Sequence, residues 1–168
     1  MDTHSIAGLF ARELRALHRE IAAFPDDESL RAVPEGVANS AGTLARHTVG
    51  NLRHFIGGRL GGSGYVRDRV AEFAHGDDSR EELLALIDAG TEEVAQALAG
   101  LDPARLSADF PDPVAGHHLG TEEFLMHLLV HSGYHLGQLN YLRRIVTGTN
   151  TPVGAMAIAE IPGARRAP

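Results

Sequence analysis

Residues 121–147 read TEEFLMHLLVHSGYHLGQLNYLRRIVT. Phe124, Leu128, Leu139, Leu142 and Val146 recur at helical spacing, which predicts one long amphipathic helix. Thr121 is expected to cap it, with Glu122 and Glu123 near its positive end. His131 and His135 fall inside the stripe, three and seven residues after Leu128. At 3.6 residues per turn these positions face the same way, toward the interior. A ring turned inward needs a polar partner. That partner is a transition metal, a carboxylate or a buried water. Gly133 and Gly137 lie on the opposite face and leave room for a close neighbour, either a C-terminal segment or a second subunit.

Upstream, Ile6, Phe10, Leu14, Leu17 and Ile21 predict a helix over about 3–23, which Pro25 ends. His18 lies at the edge of that stripe and reads as a boundary or surface residue. Residues 26–38 are polar, contain Pro34 and Gly36, and read as a crossover loop. A second helix is expected over about 40–60. Leu44, Thr48, Asn51 and Phe55 form one line on it, and His47 and His54 share a flank. Residues 57–64 hold five glycines, a density expected to break the helix. They lack the lysine and the preceding strand of a phosphate-binding loop. The segment GYVRDRVAEF reads as a short helix or an ordered loop. Ser79 and Glu82 match a capping box and start a third helix through Leu83, Ile87, Val94, Leu98 and Leu101, ended by Gly100 and Pro103. Residues 101–120 read as loop, with His117 and His118 exposed. A short helix is expected from Thr151 to Ala159, then a loose tail over 159–168. Four amphipathic helices without an alternating strand predict an all-α four-helix bundle with long connecting loops, one domain over 1–168.

Composition narrows the function. The chain carries 15 Lys and Arg against 22 Asp and Glu, a net charge of −7, which argues against a general nucleic-acid binder. It has no cysteine, so disulfides, Cys-ligated zinc and a thiol nucleophile of its own are excluded. No apolar run approaches membrane-spanning length, and the start MDTHSIAGLF lacks the pattern of a signal peptide; the expectation is a cytoplasmic protein with a small-molecule substrate.

H-x-x-x-H on a helix presents two nitrogens to one ion. A zinc protease would read H-E-x-x-H, but Ser132 stands where that glutamate would be, so the built-in general base is missing. A third ligand must come from another helix. His47 is the choice, because it can point inward from the second helix. His54, two turns on, is unlikely to serve the same ion, and His127 sits at the edge of the stripe. Three neutral imidazoles suit Zn, Ni, Fe or Cu. Three protein ligands leave one position open, the pattern of catalytic zinc. Without a metal, His131 and His135 would be core histidines satisfied by other groups.

HSGYHLGQL resembles the fourth-helix signature of the DinB-like superfamily, H-x-x-[HY]-H-x-G-Q-[LI]. LARHTVGNLRHFI resembles its second-helix motif, a His followed by G-N-L. GYVRDRVAEF resembles the R-D-R-x-x-E-F segment of one uncharacterised subfamily. Together these cover about residues 3–147. The resemblance implies a metal-binding four-helix bundle, often a homodimer, with one His from the second helix and two from the fourth as ligands. Carried over, the metal ligands are His47, His131 and His135. Zinc is the expected metal, with nickel acquired in purification, and the resemblance implies for some members transferase or isomerase chemistry with mycothiol or bacillithiol.

The leading expectation is therefore a metal-dependent transferase using a low-molecular-weight thiol, with Asn51 near the ion. Arg67 and Arg69 would meet an anionic group, or pair with Asp68 and Glu72. Metal-assisted hydrolysis is an alternative that needs a carboxylate, which the inner stripes of the second and fourth helices do not offer. A dimeric metal-binding or stress-response protein without turnover is the non-enzymatic alternative.

Overall fold

The structure is a computed structural model and describes residues 1–74 and 78–167. His75 and Pro168, the end of the expected tail, lie outside the described residues. The order is α1 (Thr3–Ala22), α2 (Asp27–Arg31), α3 (Ala41–Leu52), a π-helical continuation (Arg53–Leu60), α4 (Arg69–Phe73), α5 (Arg80–Ala99), a 3-10 turn (Pro103–Ser107), α6 (Thr121–Thr147) and a last 3-10 turn (Ile158–Glu160). Among the described residues there is no strand, only two isolated bridges in the loop before α6.

The long helices form where the apolar periodicity predicts them. On α1, Ile6, Phe10, Leu14, Leu17 and Ile21 are all buried. Asp2 caps that helix by accepting from the Ser5 N–H at 2.7 Å. The capping box at Ser79 and Glu82 is complete. α1 packs chiefly on α5 and α6, and α3 lies against the same two helices. Their buried faces make one apolar cluster from Ile6 to Leu142. Each large aliphatic or aromatic side chain removed from water there contributes about 1.5–3 kcal/mol. A buried ion pair fixes α6 against α1: Arg143 Nε donates to Glu20 at 2.6 Å, and both residues are inaccessible to solvent or nearly so. Asn140 donates to the other oxygen of Glu20.

Four local expectations change. Residues 26–38 contain a short helix, α2, capped by Asp26. It exists because Leu30 finds a fully buried seat that a linker would not supply. The helix ends at Leu60, inside the glycine run as expected, but Gly57 and Gly58 do not break it; they lie in π turns, with Gly61 N–H donating to Ile56 C=O at 2.9 Å. Their use is close approach: a Cβ on Gly57 would strike the Glu93 side chain, and one on Gly61 would lie 2.5 Å from the Ala97 methyl. Thr121 is the first helical residue of α6 and is buried, so Gly120 takes the cap position. The expected helix from Thr151 to Ala159 shrinks to the turn Ile158–Glu160. Glu160 there pairs with Arg15 and Arg19, and Pro162 lies against Gly8, which seats residues 160–162 on α1.

Candidate metal centre

α3 and α6 run side by side and bring His47, His131 and His135 together. One ring nitrogen from each lies within 4.8 Å of the others. Ring centroids are 5.3 Å apart for His47–His131, 5.0 Å for His47–His135 and 4.5 Å for His131–His135. The two Nε2 atoms of α6 are 3.1 Å apart. The centre of the buried stripe on α6 is Leu128, Ser132, Leu136 and Leu139. Ser132 is tolerated in it because its hydroxyl donates to Leu128 C=O at 2.9 Å. His131 and His135 therefore sit on the shoulder of the stripe and are half-buried, rather than in its middle.

The groups behind the rings decide which nitrogens face inward. Glu72, on α4, is buried, and its Oε2 lies 3.1 Å from His47 Nδ1. Arg67 grips the same carboxylate through Nε and Nη2, both at 2.7 Å. Burial pushes the Glu72 carboxyl up, but the hydrogen bonds from Arg67 and His47 outweigh it and hold the group below the ordinary carboxylate range. An ionised Glu72 only accepts, so His47 Nδ1–H donates to it and Nε2 is the nitrogen left for a ligand. Gln138 Oε1 lies 2.8 Å from His135 Nδ1, one turn further along α6. Accepting there, it leaves the lone pair of His135 on Nε2, facing His131. Metal-ligating histidines are oriented by partners of this kind.

Burial lowers the pKa of His131 to about 4, with the neighbouring His135, His47, His127 and Arg67 adding to it. Burial also lowers that of His135. Both imidazoles are neutral near neutral pH, the state in which they bind metals. His131 Nδ1 is buried without a partner. Nitrogens converging from separate helices, with the two α6 rings kept neutral, fit a divalent cation. The three residues could hold one metal ion.

The other histidines stand apart. His54 is partly buried with an unpartnered Nδ1, and His127 is exposed with its ring centroid 6.3 Å from that of His131. Neither is part of the cluster. His117 and His118 are exposed, and His18 lies 3.6 Å from Asp88 at the surface. Asn51 is buried, and its Oδ1 has no partner. Arg67 is taken by Glu72, and Arg69 is exposed with its guanidinium 5.2 Å over Phe73. Sequence reasoning missed Glu72 and Gln138 as supports of the rings. Gln138 carried a signal, since it lies three residues after His135 on the same helix. Glu72 carried only its place in RDRVAEF, because its position against α3 is a tertiary matter.

Residues 5–159 match the model of a family described as "Protein of unknown function (DUF1572)". No curated protein matches the chain.

Proposed function

We propose that this chain, which belongs to the DUF1572 family of proteins of unknown function, is a DinB-like four-helix bundle whose His47, His131 and His135 hold a divalent transition metal for thiol transfer. The thiol is of low molecular weight, of the mycothiol or bacillithiol type, and the acceptor is a small electrophile. The observation that carries the reading is the meeting of three imidazole nitrogens within 4.8 Å, two of them oriented by Glu72 and Gln138. Zinc suits this donor set best, because it takes imidazole ligands in tetrahedral geometry and keeps a fourth position exchangeable. When bound, such an ion supplies a Lewis acid that lowers the pKa of a thiol beside it.

The residues of the chain supply the rest. Glu72 keeps the His47 proton on Nδ1, and Gln138 does the same for His135, so both rings are set before a ligand arrives. Asn51, one helical turn from His47, is placed near the ion in this reading; its buried Oδ1 has no partner within the chain. The chain has no cysteine, so the reacting thiol comes from outside. Metal-assisted hydrolysis fits less well: the carboxylate beside the rings, Glu72, has both oxygens engaged by Arg67 and His47 and is not free as a base.

One observation favours a second reading, a metal-binding or stress-response protein without turnover. Surface clefts of about 300–340 Å³ are lined by residues other than the three histidines. The test is elemental analysis of untagged protein, followed by assays with mycothiol and bacillithiol against electrophiles. The expectation is one metal per chain, lost in H47A and H131A, with turnover that requires the metal. Stoichiometric metal without turnover or thiol binding selects the second reading. Absence of metal in protein grown with ample zinc and nickel sinks both.

A further inference from the structure

The seam between α3 and α6 continues past the histidines. Leu44 precedes His47 by one turn on α3, and Gln138 follows His135 by one turn on α6. Both line a surface cleft of about 300 Å³, whose apolar walls are Val37, Leu44, Tyr141, Leu142 and Ile145. That volume is at the small end of ligand pockets. Tyr141 is 71% and Ile145 61% exposed, while Leu44 and Leu142 beside them are buried. Gln138 and Asn39 supply amides to the cleft, and no residue that lines it is charged.

Gln138 gives the cleft an oriented donor. Its Oε1 accepts from His135 Nδ1 at 2.8 Å, which turns its NH2 away from the ring. No group among the described residues takes that NH2, which stands at the end of the cleft nearest the histidines. A carbonyl oxygen is the matching acceptor. A carboxylate is a poor match, because no cation in the cleft offsets the loss of its hydration. At about 30 Å³ for each water-sized group the cleft holds about ten, which suits a carbonyl compound of about eight carbons. The chain has neither lysine nor cysteine, so an electrophilic carbonyl compound meets no amine or thiol side chain that would consume it.

We propose that this cleft binds an uncharged, medium-chain carbonyl compound, with its oxygen on the Gln138 NH2 and its tail over Leu44, Leu142 and Ile145. One glutamine then touches both the ligand and the ring of His135, which sets the carbonyl end toward the metal centre and the tail away from it. That this ligand is the electrophile of the proposed transfer rests on the preceding reading. Its binding does not, because it requires neither metal nor thiol.

The probe is methyl hexyl ketone, neutral and unreactive, titrated into the whole metal-free chain and followed by the methyl resonances of Val37, Leu44, Leu142 and Ile145. Saturable shifts of those methyls are expected. Octanoate, with a similar tail and a charge, is expected to bind at least about tenfold more weakly. Acetone, without the tail, is expected to cause no shift. Gln138→Glu keeps an oxygen for His135 Nδ1 but removes the NH2, and is expected to weaken the ketone about tenfold. Ile145→Arg, at an exposed position, is expected to weaken it by placing a cation against the tail. No saturable shift up to the solubility of the ketone overturns the proposal. So does octanoate bound as tightly as the ketone, or a Gln138→Glu variant that is folded by circular dichroism and binds the ketone like wild type. A second assay separates the site from the transfer: addition of mycothiol or bacillithiol across the C=C of pentyl vinyl ketone, sulfur to the β-carbon and the proton to the α-carbon. Ketone binding without this addition supports the site and sinks the transfer reading; addition without ketone binding does the reverse.

Discussion

Glu72→Gln tests the support of the histidine cluster without touching a ligand. The carboxylate accepts from His47 Nδ1 at 3.1 Å and from two Arg67 nitrogens at 2.7 Å. Glutamine keeps the shape but offers one accepting oxygen, and its NH2 must face a donor. The side chains of Glu72 and Arg67 are only 6% and 11% exposed, so the pair behaves as a buried one. Breaking a buried pair costs about 3–5 kcal/mol. The lower end applies, because Arg67 is followed by the exposed Asp68 and can swing outward. For a chain of this size, a loss of about 3 kcal/mol lowers the melting temperature by roughly 6–12 °C. His47 loses its charged acceptor, and loss of such a partner lowers metal affinity about 10–100-fold. The assays are calorimetry of the metal-free protein and competition for zinc against a chromophoric chelator. A lowered melting temperature with zinc affinity within twofold of wild type would refute the orienting role of Glu72. No change in either would refute the ion pair itself.

Two further perturbations separate packing from metal affinity. A methyl in Gly50→Ala would strike the Glu72 carboxylate from α3; alanine favours the helix by about 1 kcal/mol, so metal-free stability should change little while zinc affinity falls several-fold in the same competition assay. Ser79→Ala removes the cap of α5 and should cost about 1 kcal/mol, read by thermal melts. Hydrogen bonds from Ser79 hold the Glu82 carboxyl below its ordinary value of 4.5, so their stabilisation is present above that pH and is lost as the pH falls through the lower folded value; the gap between wild type and S79A should narrow across that window, and NMR titration should show the Glu82 pKa rising in the variant.

Features that depend on local periodicity were legible in the order of the residues alone. The positions of α1, α5 and α6 follow from apolar residues three and four apart, and the start of α5 follows from the reciprocal pair Ser79 and Glu82. One turn of helix also made His131 and His135 neighbours, and the inward flank of α3 made His47 the candidate to join them. Tertiary structure decided the rest. A glycine run reads locally as a helix breaker, yet here it lets Arg53–Leu60 widen against Glu93 and Ala97 on α5. Leu30 turns an expected loop into α2, because burial offsets the cost of ordering a single turn. Glu72 reaches His47 across 25 residues, a contact set by how α4 docks on α3 and invisible to any helical repeat. Periodicity tells which residues share a face of one helix. Which faces meet, and which groups then hold the rings, depends on distances between helices, and those exist only once the chain has packed.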